Sequence, residues 1–157
     1  MKSKSVLCAV VLLAVGILMF GTGCSAASAA RENSRAIACT SNLKQIVLGI
    51  LLFADDNSDK LPAAQEWEKK ISSYVGDEKT FVCPKTKQHY LYFGNGQETS
   101  KIENRDTVIL LVCESDHVRK MNVAFLDGHC ASMDTKTVKA AIEAAKAAGN
   151  DALPVLK

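Results

Sequence analysis

The sequence predicts an α+β fold built on a mainly antiparallel sheet, and three observations carry that expectation. Apolar residues recur at steps of three and four between Ala36 and Ala54, the period of a helix with one buried face. From Thr80 onward the pattern shifts to short β-branched and aromatic runs bounded by turn residues. Asp127-Gly128 then joins two such runs, a hairpin signature, before a last amphipathic stretch.

The N-terminus reads as an export signal. Lys2 and Lys4 precede the apolar run Val6 to Phe20, which is short for a membrane span, and small residues follow in "GTGCSAASAA". Two processing chemistries fit residues 1–23. "GTGC" resembles a bacterial lipobox, in which Cys24 is lipidated and becomes the mature N-terminus, although Gly21 stands where lipoboxes carry an aliphatic residue. Ordinary cleavage near residues 29–30 is the alternative, with Ala27 and Ala29 as the small-x-small pair. The expected organisation is a signal over 1–23, a short polar tether over 24–35 and a single globular domain over 36–157. With 157 residues in all, one core of ordinary size is expected.

The first helix places Ala36, Cys39, Leu43, Ile46, Val47, Ile50 and Ala54 on one stripe, with Gly49 off it. "ADDNSDKLP" ends the helix through Asp and Asn turn residues and Pro62. A shorter helix puts Trp67, Ile71, Tyr74 and Val75 on one face and stops at Gly76. "TFVC" and "HYLYF" are strand candidates. "TVILLVC", Thr107 to Cys113, is a continuous apolar run expected as a central strand buried on both faces. "MNVAFL" and "HCASM" form the hairpin, with Asp127 and Gly128 both expected at positive φ. Asp134 or Thr135 caps a final helix carrying Val138, Ile142 and Ala145 and ending at Gly149.

Chemistry is harder to find. A net charge of +2 and the lack of a basic, aromatic-interleaved stripe exclude a nucleic-acid partner. His117 and Asp127 lie at opposite ends of a strand, on the order of 20 Å apart, too far for a dyad. Cys113 and His117 are near enough to make a thiol site, but nothing beside them supplies an oxyanion hole or an oriented base. Asp55, Asn57, Asp59 and Glu66 match calcium-loop spacing, yet Lys60 occupies the glycine position and Pro62 falls inside, so a solvated turn is expected. His89, His117 and His129 show no paired zinc spacing, and no metal or other cofactor is expected.

Setting aside the signal and Cys24 leaves Cys39, Cys83, Cys113 and Cys130, an even number suited to an oxidising compartment. Three pairings are open. Cys113 and Cys130 fall at opposite ends of the hairpin, beyond bridging distance, and are expected as free buried thiols, while Cys39 with Cys83, fastening the helix to the first strand, is the preferred pair.

His117, nine residues, then Asp127-Gly128 resembles the H-x9-DG element of the prepilin-type processing-associated family of pseudopilin-like bacterial proteins. "CTSNLKQIVLGILLFADDNSDKLP", Trp67 with Tyr74, and "FVCP" are similar to further elements of that family. The resemblance runs from about Ala36 to Ala131. It implies a pilin-like head, one helix laid across an antiparallel sheet, serving as an assembly or surface component related to type II secretion. It supplies no catalytic residue, and makes His117, Asp127 and Gly128 structural. The chain departs from pseudopilins at its N-terminus: no acidic residue precedes Glu32, and Gly21, Gly23 and the small-residue run are expected to interrupt the apolar helix.

The resulting expectation is a non-enzymatic envelope protein, membrane-anchored through lipid or free in the periplasm, whose partners are other envelope proteins. The alternative is a lipoprotein that binds a small ligand or glycan in the loops between Lys85 and Arg105.

Overall fold

The computed structural model describes residues 23–117, 119–149 and 152–156, with side chains described from Ala27 onward. Residues 1–22, which hold nearly all of the expected signal, lie outside this range.

Helix α1 (Gly23–Asp56) runs unbroken for 34 residues. The small-residue run from Gly23, expected to interrupt it, is helical instead, because it is rich in Ala, the strongest helix former; Gly21 lies outside the described residues. Residues 24–35, expected as a tether, are therefore part of a rod. Cys39, Leu43, Ile46, Val47, Ile50 and Ala54 are buried, as their spacing predicts. Gly49 is buried too, contrary to expectation: α2 (Trp67–Val75) crosses there, and a Cβ on Gly49 would lie 2.8 Å from Val75 Cγ2.

Between the two helices the chain forms a hydrogen-bonded turn. The Asn57 and Asp59 amides donate to the Ala54 carbonyl, and Tyr74 donates its hydroxyl proton to Asp56 Oδ2 at 2.8 Å. "TFVC" is not a strand. Asp77 accepts the Lys79 amide and winds Glu78–Phe81 into a 3-10 turn, leaving Val82 a single bridge to His89.

The sheet contains β1 (Leu91–Tyr92), β2 (Ile109–Val112), β3 (Lys120–Phe125) and β4 (Cys130–Asp134), all antiparallel in the order β1-β2-β3-β4. Every residue of β2 is buried, in agreement with its continuous apolar run. Leu110, Leu111, Cys113, Ala124 and Leu126 pack with α1 and α2 on one face. Ile109, Val112, Val123 and Phe125 pack on the other against Val138, Ala141 and Ile142 of α3 (Thr135–Ala148). Asp134 caps α3 by accepting the Lys136 and Thr137 amides. The C-terminal segment adds Val155 beside Val108, with the Ile109 amide donating to the Pro154 carbonyl. The expected α+β class with a mainly antiparallel sheet is thus present.

The β3–β4 turn differs from the expected one. Only Gly128 has positive φ, at +92°, and Asp127 does not. The Gly128 amide donates to the Phe125 carbonyl and the Phe125 amide to the His129 carbonyl, making a three-residue loop that closes on a left-handed glycine. The extra residue lets Leu126 turn inward, where it is fully buried and its amide donates to the Val108 carbonyl.

Candidate functional site

Four side chains far apart in sequence converge beneath α1. Cys39 comes from the helix, Cys83 from the loop after the 3-10 turn, Cys113 from the end of β2, and His117 from the loop leading into β3. Each is dictated locally. Cys39 lies on the apolar stripe of α1. The Cys83 amide donates to the Gln88 carbonyl and the Lys87 amide to the Cys83 carbonyl, which fixes a tight loop. Cys113 is held by its amide on the Asn122 carbonyl, and His117 and Lys120 exchange two backbone hydrogen bonds.

The four ligating atoms all lie within 4.8 Å of one another. His117 Nε2 is 3.4 Å from Cys83 Sγ and 3.5 Å from Cys113 Sγ. Exposure is 0% for Cys39, 1% for Cys83 and Cys113, and 3% for His117, so solvent does not reach the cluster. Among the described residues it is the group of Cys, His, Asp and Glu side chains able to hold a metal ion.

A polar shell surrounds the sulfurs. Tyr90 donates its hydroxyl proton towards Cys39 Sγ at 3.6 Å, and Ser115 donates to Cys83 Sγ at 3.3 Å. Asn122, fully buried on β3, donates to the Ala36 carbonyl of α1 and accepts from Ser132. Glu32 of α1 reaches the cluster from outside. Its Oε1 lies 3.6 Å from His117 Nδ1 and accepts from Lys85 Nζ at 2.6 Å. The hydrogen bond and charge of the Lys85 ammonium beside it hold the Glu32 carboxyl below its usual value, against the opposing effect of burial.

The thiols are electrostatically unequal. A hydrogen bond with Cys113 lowers the Cys39 thiol, helped by Asn122 and Tyr90, while the same bond and burial push Cys113 up. Burial also pushes against Cys83, but the Ser115 hydroxyl and the Thr86 and Lys85 amides together hold it below the ordinary thiol value.

These findings revise several expectations. The bridge expected between Cys39 and Cys83 is not formed: both are free thiols, and their sulfurs lie with those of Cys113 and the His117 nitrogen inside one 4.8 Å cluster. No metal was expected because the ligands were sought at short sequence spacings, and here the fold itself assembles them. Cys113 does meet His117, and Glu32 stands on the far side of the ring, yet the pair is sealed from any substrate. Cys130 is half-buried outside the cluster, its thiol pushed up to about 11 by burial. His89 pairs with Glu68 on the surface, and His129 pairs with Asp127 at the hairpin tip, at 2.8 and 2.6 Å. Asp127 is indeed remote from His117, at the other end of β3. Glu32, Ser115 and Asn122 had no sequence signal, since nothing local marks a residue that serves a distant sulfur.

The loops proposed for ligand binding are partly occupied by the protein itself. Tyr90 is in the core, and Tyr92 stacks on Trp67 with ring centroids 4.9 Å apart. Phe93 and Asn95 face Ile142 and Lys146 across a cleft of about 380 Å³.

No protein-family model, curated protein or solved structure matches the chain. The described residues form an α+β fold whose long first helix, antiparallel sheet and C-terminal helix enclose the buried thiol-imidazole cluster.

Proposed function

We propose that the protein is an exported, membrane-tethered, pseudopilin-like head that acts by protein contact at the cell envelope and not by catalysis. The observation that carries this reading is the course of α1. The helix is locked to the sheet from Cys39 onward, touches the head again through Glu32, and is exposed from Ala27 to Arg31. The stretch Gly23–Ala38 rises roughly 24 Å at helical pitch. A head acylated at Cys24 would be held on a stiff post with a defined orientation.

The outer face of the same helix supports contact with other proteins. Ile37, Leu48 and Leu52 are exposed there, at 71%, 47% and 52%. Burial of the thiol-imidazole contacts among the described residues, Cys83 and Cys113 with His117, argues against a thiol enzyme, since a reactive cysteine must be accessible as well as ionised.

Mass spectrometry of the mature N-terminus, from membrane and soluble fractions of native cells, tests the reading. An acylated Cys24 in the membrane fraction is the expected result. An unmodified terminus near Ala30 in the soluble fraction would remove the tether. A retained apolar segment would overturn the lipid tether and point to a filament subunit or a protein anchored in the inner membrane by that segment.

A further inference from the structure

We propose that Cys39, Cys83, Cys113 and His117 bind one zinc ion in a closed tetrahedral site that pins α1 to the sheet. The geometry carries the inference. A zinc ion with three thiolates at about 2.3 Å and one imidazole at about 2.0 Å has S···N edges of about 3.5 Å and S···S edges of about 3.8 Å. The two S···N distances of 3.4 and 3.5 Å match those edges, and every donor pair lies within 4.8 Å.

Stoichiometry separates the metal from a disulfide. Three buried sulfurs surround one ring nitrogen, so any single bridge leaves the third sulfur and the imidazole without a function. A tetrahedral cation uses all four. Binding takes up Zn²⁺, releases three thiol protons and leaves one net negative charge on the centre. The surrounding donors suit that charge: Tyr90 points at Cys39, Ser115 and the Lys85 and Thr86 amides at Cys83, and the Ser115 amide at Cys113.

The imidazole is also oriented as a zinc ligand requires. With Nε2 directed at the sulfurs, Nδ1 is buried without a hydrogen bond at normal distance, and Glu32 Oε1 stands 3.6 Å away. A carboxylate behind the ring fixes the tautomer with its proton on Nδ1 and raises the basicity of Nε2. Glu32 is thus a positioning residue. Four protein ligands and full burial leave no position for water or substrate, so the site is structural. Soft thiolates in a tetrahedral S3N set favour zinc over magnesium, calcium or manganese.

The test is made on the full chain, purified in detergent from cells grown with zinc. Elemental analysis is expected to return one zinc per chain, and X-ray absorption a shell of three sulfurs near 2.3 Å and one nitrogen near 2.0 Å. Cobalt substitution is expected to give intense visible bands with thiolate charge transfer. Glu32→Gln is expected to weaken zinc affinity about 10- to 100-fold in a chelator competition without changing the sulfur shell, and Cys130→Ser to leave the metal in place. A metal-free reduced chain that takes up no zinc, a shell of oxygen and nitrogen only, or a native Cys39–Cys83 disulfide found by peptide mapping would each overturn the proposal. The absorption measurement needs no variant, so a substitution that merely prevents folding does not decide the matter.

Discussion

His117 sets Nε2 3.4 Å from the Cys83 sulfur, although 34 residues separate them in the chain. The contact joins the hairpin entry to the loop under α1, and Cys39 extends it into the helix. Zinc would make this junction a cross-link across the core. At free zinc near 1,000 times its Kd, binding to the folded state alone contributes about 4 kcal/mol. Stripping the metal with a strong chelator under reducing conditions should therefore lower the melting temperature by on the order of 10 °C. The same difference should persist in Cys130→Ser. Superimposable melting curves with and without chelator would refute the cross-link.

The approach of α1 to α2 depends on Gly49. Its missing Cβ would fall 2.8 Å from Val75 Cγ2, and the β-branched valine cannot swing aside cheaply. Alanine brings a helix-propensity gain of about 1 kcal/mol, whereas overpacking costs about 1–3 kcal/mol. Gly49→Ala should therefore destabilise the head by about 1 kcal/mol net in urea unfolding. Adding Val75→Ala should return part of that loss, giving a favourable coupling in a double-mutant cycle. Additive losses would mean that the helices do not meet at this point.

Much of this architecture is legible in the sequence because it rests on periodicity. The stripe from Cys39 to Ala54, the face of α2, the apolar run of β2 and the cap at Asp134 all follow from local residue order. What local order misses is decided by partners elsewhere. Gly49 lies beside the stripe and becomes an interface only when α2 crosses it. "TFVC" has strand composition, but Asp77 captures the Lys79 amide and winds the segment into a turn. The metal-ligand cluster is the extreme case. Its four members occupy four separate segments, and only Cys113 with His117 is close in sequence. Three cysteines outside the signal beside an apolar stripe, an Xaa-Pro loop and a strand end were visible, yet their convergence is a property of topology.

Gly128 is the one hairpin-tip residue that needs the left-handed region. At φ +92° a side chain is strained, and an added Cβ would also stand 3.3 Å from Leu51 Cδ1 of α1. Gly128→Ala should cost about 1–2 kcal/mol, from the left-handed penalty alone. Gly128→Asn should cost less, because asparagine tolerates that region better than alanine. Chemical denaturation of the two variants checks the order, and equal losses would place the cost in the contact with Leu51.

Asp127 should give the hairpin a pH dependence at the acid end. Burial pushes its carboxyl up, but the His129 amide and ring, donating at 3.0 and 2.6 Å, together hold it below the usual carboxylate value. A carboxyl lowered in the folded state stabilises it fully above the unfolded pKa of about 3.9, and that contribution disappears as pH falls through the lower folded value. Asp127→Asn keeps an oxygen acceptor for the His129 amide but cannot ionise. The stability gap between the natural chain and this variant should therefore close as the pH is taken below about 3.9. The side chain is about 37% exposed, so solvent screens the interaction and the gap should be small and reduced by salt. Urea midpoints measured for both proteins across the acid range decide the point: a gap that widens on acidification would mean that the carboxylate is destabilising at the tip and that the amide hydrogen bond alone holds the turn.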